Sequence, residues 1–252
     1  MNRFLFYDAH AHLPSPESRE HQATDQASLS SIDLKYSVIN GTSPNDWAAV
    51  LEFAQENPRA LPAIGLHPQE VQNVPKNWKE LFLQLLGNNS ICAIGEIGLD
   101  RRNQNSDIEQ QLDVFCWQLE QARARNIPVS IHCVKATGVL MNTLRTHDLP
   151  SRGIHLHAYN GPVELIPELV ELGAYFSFAA KQLEFNSEKV EDRIRAVPIQ
   201  RLLIETDATY RNDFTTLHNC YTAIAEIREM SLEKLSESVA ENFKSYFLTH
   251  YC

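Results

Sequence analysis

Short apolar runs that carry or precede a histidine or a carboxylate recur along the whole chain, and they restrict its fold more than any other feature. Phe4 to Ala9 leads into His10 and His12, and Ile91 to Ile97 carries Glu96. Pro128 to Cys133 carries His132, Gly153 to Ala158 carries His155 and His157, and Arg201 to Thr206 leads into Asp207. Lys35 to Gly41, Ala60 to Leu66 and Ala174 to Ala179 are runs of the same kind, which makes eight candidate strands. Between and after them lie segments of helical period, Pro44 to Asn57, Asp107 to Arg125, Thr215 to Met230 and Leu232 to Phe247. Strands that are short and apolar on both faces, alternating with helices, predict a parallel sheet buried by helices.

An open sheet would leave residues 10 and 207 far apart, whereas a ring joins the first strand to the last. The expected fold is therefore α/β, a TIM (β/α)8 barrel of the metal-dependent hydrolase type, with its active site at the C-terminal strand ends. The 252 residues match the ~250 of one such barrel. No linker or charge block divides them, so residues 1–252 read as one domain. One stretch departs from the alternation. Pro14 to Ser30 is polar where a first helix belongs, and only Leu29 to Leu34 supplies a stub. It reads as a long loop on the active-site side with a shortened first helical unit, serving as a lid, a docking surface or a plain solvated loop.

The net charge of −10 argues against a broad basic surface for nonspecific nucleic-acid binding. It leaves nucleic-acid chemistry open, because bound divalent cations invert the local field. Five cysteines, an odd count without CxxC spacing, argue against a disulfide framework or a structural zinc site. The N-terminus is no signal peptide, and no run of apolar residues is long enough to span a membrane. A cytoplasmic protein is expected.

The strand-end residues carry the chemistry. His10 and His12 stand two apart on a strand, so both imidazoles face one side and can reach one cation; Asp8 is a candidate acceptor for an imidazole N–H. Glu96 lies between Gly95 and Ile97-Gly98, where glycine permits close backbone approach and the carboxylate can bridge two metals. His132 and a histidine of the sixth run extend the set. Periodicity leaves either His155 or His157 as the ligand. Asp207 can bind metal and also take a proton from water, and His67 reads as a substrate contact. The chain shows no GxGxxG after a strand, no P-loop and no GxSxG.

Six segments together resemble the TatD family of metal-dependent deoxyribonucleases. They are Phe6-Tyr7-Asp8-Ala9-His10-Ala11-His12-Leu13, Gly65-Leu66-His67-Pro68, Gly95-Glu96-Ile97-Gly98-Leu99-Asp100, Pro128-Val129-Ser130-Ile131-His132-Cys133, His157-Ala158-Tyr159-Asn160-Gly161 and Leu203-Ile204-Glu205-Thr206-Asp207-Ala208. The resemblance implies a TIM barrel and two divalent ions, Mg2+ or Mn2+, with Zn2+ as a further option. It implies His10, His12, Glu96 and Asp207 around one ion and Glu96, His132 and His157 around the other, which selects His157 over His155. It further implies attack of water on a scissile phosphorus with Asp207 as general base, and 3'-to-5' exonuclease action on single-stranded DNA ends.

The chain departs from the family pattern at the rim. Val134 and Lys135 follow His132-Cys133 where the family commonly has Arg, Arg101 stands where an aromatic is frequent, and Thr209 replaces the usual Pro. Arg101, Arg102, Lys135 and Arg211 are candidate phosphate contacts in compensation. The altered rim also admits two other functions. One is hydrolysis of a carboxylic ester or amide, such as an aminoacyl ester on tRNA. The other is a docking or catalytic subunit of a larger assembly, binding a protein partner through residues 13–34 and 208–218.

Overall fold

The computed structural model describes residues 4–13, 32–88, 91–102, 107–184, 187–208 and 215–249. The polar stretch Pro14 to Ser30 lies outside these residues, as do Arg211 and most of the 208–218 rim; of the expected helical stub Leu29 to Leu34, residues 32–34 belong instead to the strand Ile32–Asn40.

Seven strands form one parallel sheet in sequence order: β1 (Phe4–His12), β2 (Ile32–Asn40), β3 (Ala60–Ile64), β4 (Ala93–Asp100), β5 (Val129–Val134), β6 (Ile154–Leu156) and β7 (Ala174–Phe176). The helices among the described residues are α1 (Trp47–Glu56), α2 (Trp78–Asn88), α3 (Ile108–Arg125), α4 (Thr137–Thr146), α5 (Ile166–Glu171), α6 (Ala180–Leu183), α7 (Glu188–Ala196), α8 (Thr215–Ile227) and α9 (Leu232–Phe243). Local chemistry sets their ends. Asp107 accepts from the N–H groups of Glu109 and Gln110 at 3.0 and 3.1 Å to start α3, and Asn126 ends it in the left-handed region at φ 52°.

The eighth expected strand, Arg201 to Thr206, is not a regular ladder; its one β-bridge pairs Leu202 with Phe176. It is an extended segment bonded on both sides nonetheless. Leu203 N–H reaches Phe176 O at 2.7 Å on the β7 side. Toward β1, Ala9 N–H reaches Ile204 O at 2.9 Å, Asp207 N–H reaches His10 O at 3.0 Å and His12 N–H reaches Ala208 O at 2.9 Å. Regular pairing fails because the Asp8 carboxylate takes the N–H of Thr206 at 3.0 Å and its hydroxyl at 2.7 Å. The segment closes the ring, so the architecture is the expected α/β barrel of TIM (β/α)8 type.

Apolar residues make two layers. Phe6, Trp47, Phe82, Phe115, Leu140, Ile194 and Ile224 belong to the large cluster between strands and helices. Tyr7, Leu61, Ala93, Tyr175 and Leu203 form a second cluster with Phe243, Tyr246 and Phe247. The last three come from α9 and the π-helical turn Lys244–Leu248 that follows it. Tyr246 donates its hydroxyl proton to Val129 O at 2.7 Å and accepts from Val129 N–H at 3.1 Å. Arg152 donates to Tyr246 O at 2.7 Å and Ser245 O at 2.8 Å. The C-terminal turn thus plugs the bottom of the barrel.

Two breaks in strand register aim the top. Phe6 stacks on Tyr221 of α8 at 4.2 Å, so it faces outward, while Tyr7 and Ala9 belong to the inner cluster. Strict alternation would turn His10 and His12 outward. The register of β1 against β2 shifts between Asp8 and Ala11, and the phase resets so that both histidines face Glu96. The register of β4 against β5 shifts between Ile94 and Ile97, which brackets Glu96 and a cis Gly95–Glu96 peptide bond. β-bulges of this kind re-aim side chains beside active sites. Gly98 completes the β4 irregularity. It sits at φ 141°, and a Cβ there would lie 2.0 Å from His132 O. Gly98→Ala should cost well over about 1 kcal/mol, read as a lower urea midpoint with unchanged m-value.

Candidate metal centre

Glu96 is the hub. It is 3% exposed, and its two oxygens divide the surrounding imidazoles. Oε1 lies 2.7 Å from His132 Nδ1 and 2.8 Å from His157 Nε2. Oε2 lies 3.5 Å from His10 Nε2 and 3.8 Å from His12 Nε2. Asp207 closes the second side, its Oδ1 3.3 Å from His12 Nε2 and 3.9 Å from His10 Nε2. His10, His12 and Glu96 form one group of side chains able to hold a metal ion, and Glu96, His132 and His157 another. The six residues named from the sequence therefore meet in one place.

The donor set fits divalent cations by its bonding as well as its composition. Imidazole and carboxylate ligands at about 2.0–2.2 Å from a metal lie roughly 3 Å from one another, and His132 Nδ1 and His157 Nε2 are 3.2 Å apart. His10 Nε2 is buried with no hydrogen-bond partner, an orphan that a metal would satisfy. His132 uses its far nitrogen, Nε2, on Asp100 Oδ2 at 3.0 Å. His157 turns Nδ1 toward Glu205 Oε1 at 3.5 Å. A carboxylate behind each imidazole fixes the ring and raises its basicity as a ligand.

The electrostatics follow from this crowding. Burial would raise the Glu96 carboxyl, but the charge of His157 and the His10, His132 and His157 imidazoles crowded around it outweigh burial and hold it well below the usual carboxylate range. Burial opposes charging His157 and His132, yet Glu96 with Glu205 raises the first well above the imidazole range, and Asp100 with Glu96 raises the second. Burial, then the charge of His157, lowers His10. Asp207 is lowered against burial by its bond to His12.

The other residues named from the sequence take the following places, and the partner of Asp8 differs from the expectation. Asp8 accepts from Thr206 and from the backbone N–H of His10 at 3.3 Å, not from an imidazole; burial pushes its carboxyl up to about 7. His155 lies inside the barrel between Ser130 Oγ at 3.3 Å and Ser177 Oγ at 2.6 Å, and burial lowers it well below the imidazole range. His67 receives Gln69 N–H on Nδ1 at 3.1 Å, so its Nε2 carries the proton and points at Glu96 Oε1, 3.5 Å away. Arg101 and Lys135 are exposed on neighbouring loops, joined by the bond from Arg101 N–H to Val134 O at 2.9 Å. Arg102 is engaged elsewhere, its Nε donating to Asp100 Oδ2 at 2.7 Å. The sequence reading missed the roles of Asp100 and Glu205. Their positions within the β4 and strand-eight motifs were the available signal.

The family model for TatD related DNases matches residues 7–248. The chain belongs to that family. It is 26% identical over 254 residues to the uncharacterized metal-dependent hydrolase YabD of Bacillus subtilis, covering 96% of this chain and 99% of that protein. It is 26% identical over 256 residues to the 3'-5' ssDNA/RNA exonuclease TatD of Enterobacter lignolyticus, covering 96% and 98%. The crystal structure of the TatD homologue YjjV from Escherichia coli superposes with a TM-score of 0.86 at 24% identity, over 96% of this chain and 97% of that one. A TatD family hydrolase structure from Entamoeba histolytica gives 0.79 at 20% identity, over 99% and 100%. The chain is thus a metal-dependent hydrolase of TatD type. Among the described residues no helix is long and apolar enough to cross a membrane.

The pKa directions give a signed prediction. In metal-free protein the raised His157 and His132 contribute stability below their unfolded pKa and lose it as pH rises through their folded values. Glu96, lowered, contributes above its unfolded pKa and loses its share as pH falls through its folded value. A cation must displace the imidazole protons. Mn2+ affinity should therefore fall as pH drops below the raised histidine values, with protons released on binding, measured by calorimetry in buffers of differing ionisation enthalpy.

Proposed function

We propose that this protein is a nuclease that hydrolyses phosphodiester bonds, releasing nucleotides from the 3' ends of single-stranded DNA. The observation that carries this reading is the shared position of Glu96 in two metal-competent groups. Two cations bridged by one carboxylate suit in-line displacement at phosphorus. The relative named as a 3'-5' ssDNA/RNA exonuclease supports the same polarity and substrate. His10, His12, Glu96 and Asp207 would hold one ion and Glu96, His132 and His157 the other, with Mg2+ or Mn2+ the fitting ions and Zn2+ the alternative. When bound, the cations supply Lewis-acid polarisation of the phosphate and acidify a water.

The protein's own groups do the rest. Asp207, with its side chain 34% exposed, faces the opening and takes the proton from the attacking water. Its lowered pKa keeps it ionised for that role. His12, 32% exposed, stands beside it, while His10 and Glu96 are shielded below. His67 offers its Nε2 proton to Glu96 or to a phosphate oxygen. Arg101 and Lys135 lie on the rim, placed to hold the DNA backbone. We take residues 1–252 as one catalytic domain; the family match across residues 7–248 supports this. The free thiols of Cys92, Cys116, Cys133 and Cys220 fit a reducing, cytoplasmic setting.

The test is nucleotide release from end-labelled single-stranded DNA with Mg2+, Mn2+, Zn2+ or EDTA. Metal-dependent release is expected. Asp207→Asn should lower turnover by about 10²–10⁴-fold while Mn2+ still binds, and Glu96→Ala should lose both turnover and binding. Turnover of an aminoacyl ester in place of DNA would overturn the reading.

A further inference from the structure

Beneath the candidate metal ligands a single file of hydrogen bonds runs across the barrel interior. His10 Nδ1 lies 3.1 Å from Ser130 Oγ, and Ser130 Oγ lies 3.3 Å from His155 Nδ1. His155 Nε2 lies 2.6 Å from Ser177 Oγ, and Ser177 bonds to Glu205 Oε2. Ser130, His155, Ser177 and Glu205 are all 0% exposed. The other oxygen of Glu205 accepts the N–H of Ala158 at 2.8 Å and faces His157 Nδ1.

Proton counting gives this file one direction. A carboxylate only accepts, so the Ser177 hydroxyl donates to Glu205. Ser177 has spent its one proton and must accept from His155, which therefore carries its proton on Nε2. A neutral imidazole has one donor and one acceptor nitrogen, so His155 Nδ1 accepts from the Ser130 hydroxyl. Ser130 in turn accepts from His10, whose proton must sit on Nδ1. That leaves the lone pair of His10 on Nε2, the buried atom without a hydrogen-bond partner that faces Glu96 and Asp207.

We propose that Glu205, acting through Ser177, His155 and Ser130, sets the tautomer of His10 and so prepares its Nε2 as a metal ligand. The same carboxylate faces His157 Nδ1 with its other oxygen at 3.5 Å, so one buried group lies behind a histidine on each side of Glu96. Ser130, His155, Ser177 and Glu205 are positioning residues and touch no substrate. The proposal rests on His10 as a metal ligand and is independent of which bond the protein hydrolyses.

The assignment makes an unusual demand on Glu205→Gln. Ala158 N–H would retain the amide oxygen, leaving the NH2 group facing Ser177. Ser177 would then accept, and every bond of the file would reverse. His10 would be forced to carry its proton on Nε2, where it cannot bind metal.

The experiment is a two-bond 1H–15N correlation on metal-free, 15N-histidine-labelled protein, with His10 assigned by its loss in His10→Asn. Mn2+ titration of the same samples, without nucleic acid, gives affinity. Wild type should show His10 protonated on Nδ1, and Glu205→Gln should show it protonated on Nε2. Ser130→Ala and His155→Leu should mix the two tautomers, and Mn2+ affinity should fall about 10–100-fold in each of the three variants. His155→Gln, whose amide sets a donor NH2 and an acceptor oxygen side by side, should recover most of the affinity. Wild-type His10 protonated on Nε2 overturns the proposal without any variant, which covers the case in which His155→Leu fails to fold. Unchanged tautomer and affinity in Glu205→Gln and Ser130→Ala overturn it as well. A nuclease assay that fails while the tautomers behave as stated leaves the relay standing and removes only the substrate reading.

Discussion

The site exists because the ring closes. Three backbone hydrogen bonds between β1 and residues 204–208 join segments almost two hundred positions apart in the chain. Through them His10 and His12 come within reach of Asp207, while the strands between deliver Glu96, His132 and His157 from the opposite wall. Loop-closure entropy makes such distant pairings expensive to form first. The compensation comes from apolar packing on both sides of the sheet and from the aromatic plug at its base. Asp8 adds to the closure by holding both polar groups of Thr206, at the expense of a regular eighth strand.

Function and regular structure compete visibly along the same strands. Of the three register shifts in β1 and β4, one brackets His10 and another brackets Glu96. Left-handed backbone recurs where strands run out into the site, at Lys135, Ala158 and Asp207 with φ of 53°, 43° and 49°. Such conformations cost free energy and persist where surrounding structure enforces them. At Ala158 the Glu205 carboxylate takes the backbone N–H at 2.8 Å, and at Asp207 the N–H bonds to His10 O at 3.0 Å. Asp100 behind His132 and Glu205 behind His157 do for the imidazoles what the bulges do for the backbone.

Much of this was legible in the sequence. The apolar runs located β1 to β5 because each is long enough to show its composition, and the terminal histidines and carboxylates marked the rim. β6 and β7 are shorter than their apolar runs, ending at Leu156 and Phe176. Periodicity alone left His155 and His157 level, because both do face the interior; depth separates them, and depth is a property of the assembled barrel. The partner of Asp8 was misjudged for the same reason. Thr206 lies beside it only after closure, and no local spacing announces a contact between residues so far apart.

The plug formed by Tyr246 and its neighbours has a consequence for traffic. A barrel sealed at its base is a well with one mouth, so nothing can thread through it. A substrate enters and its product leaves along the same path. Departure of one molecule and arrival of the next are therefore mutually exclusive in time, and a product slow to leave would inhibit the hydrolase that made it.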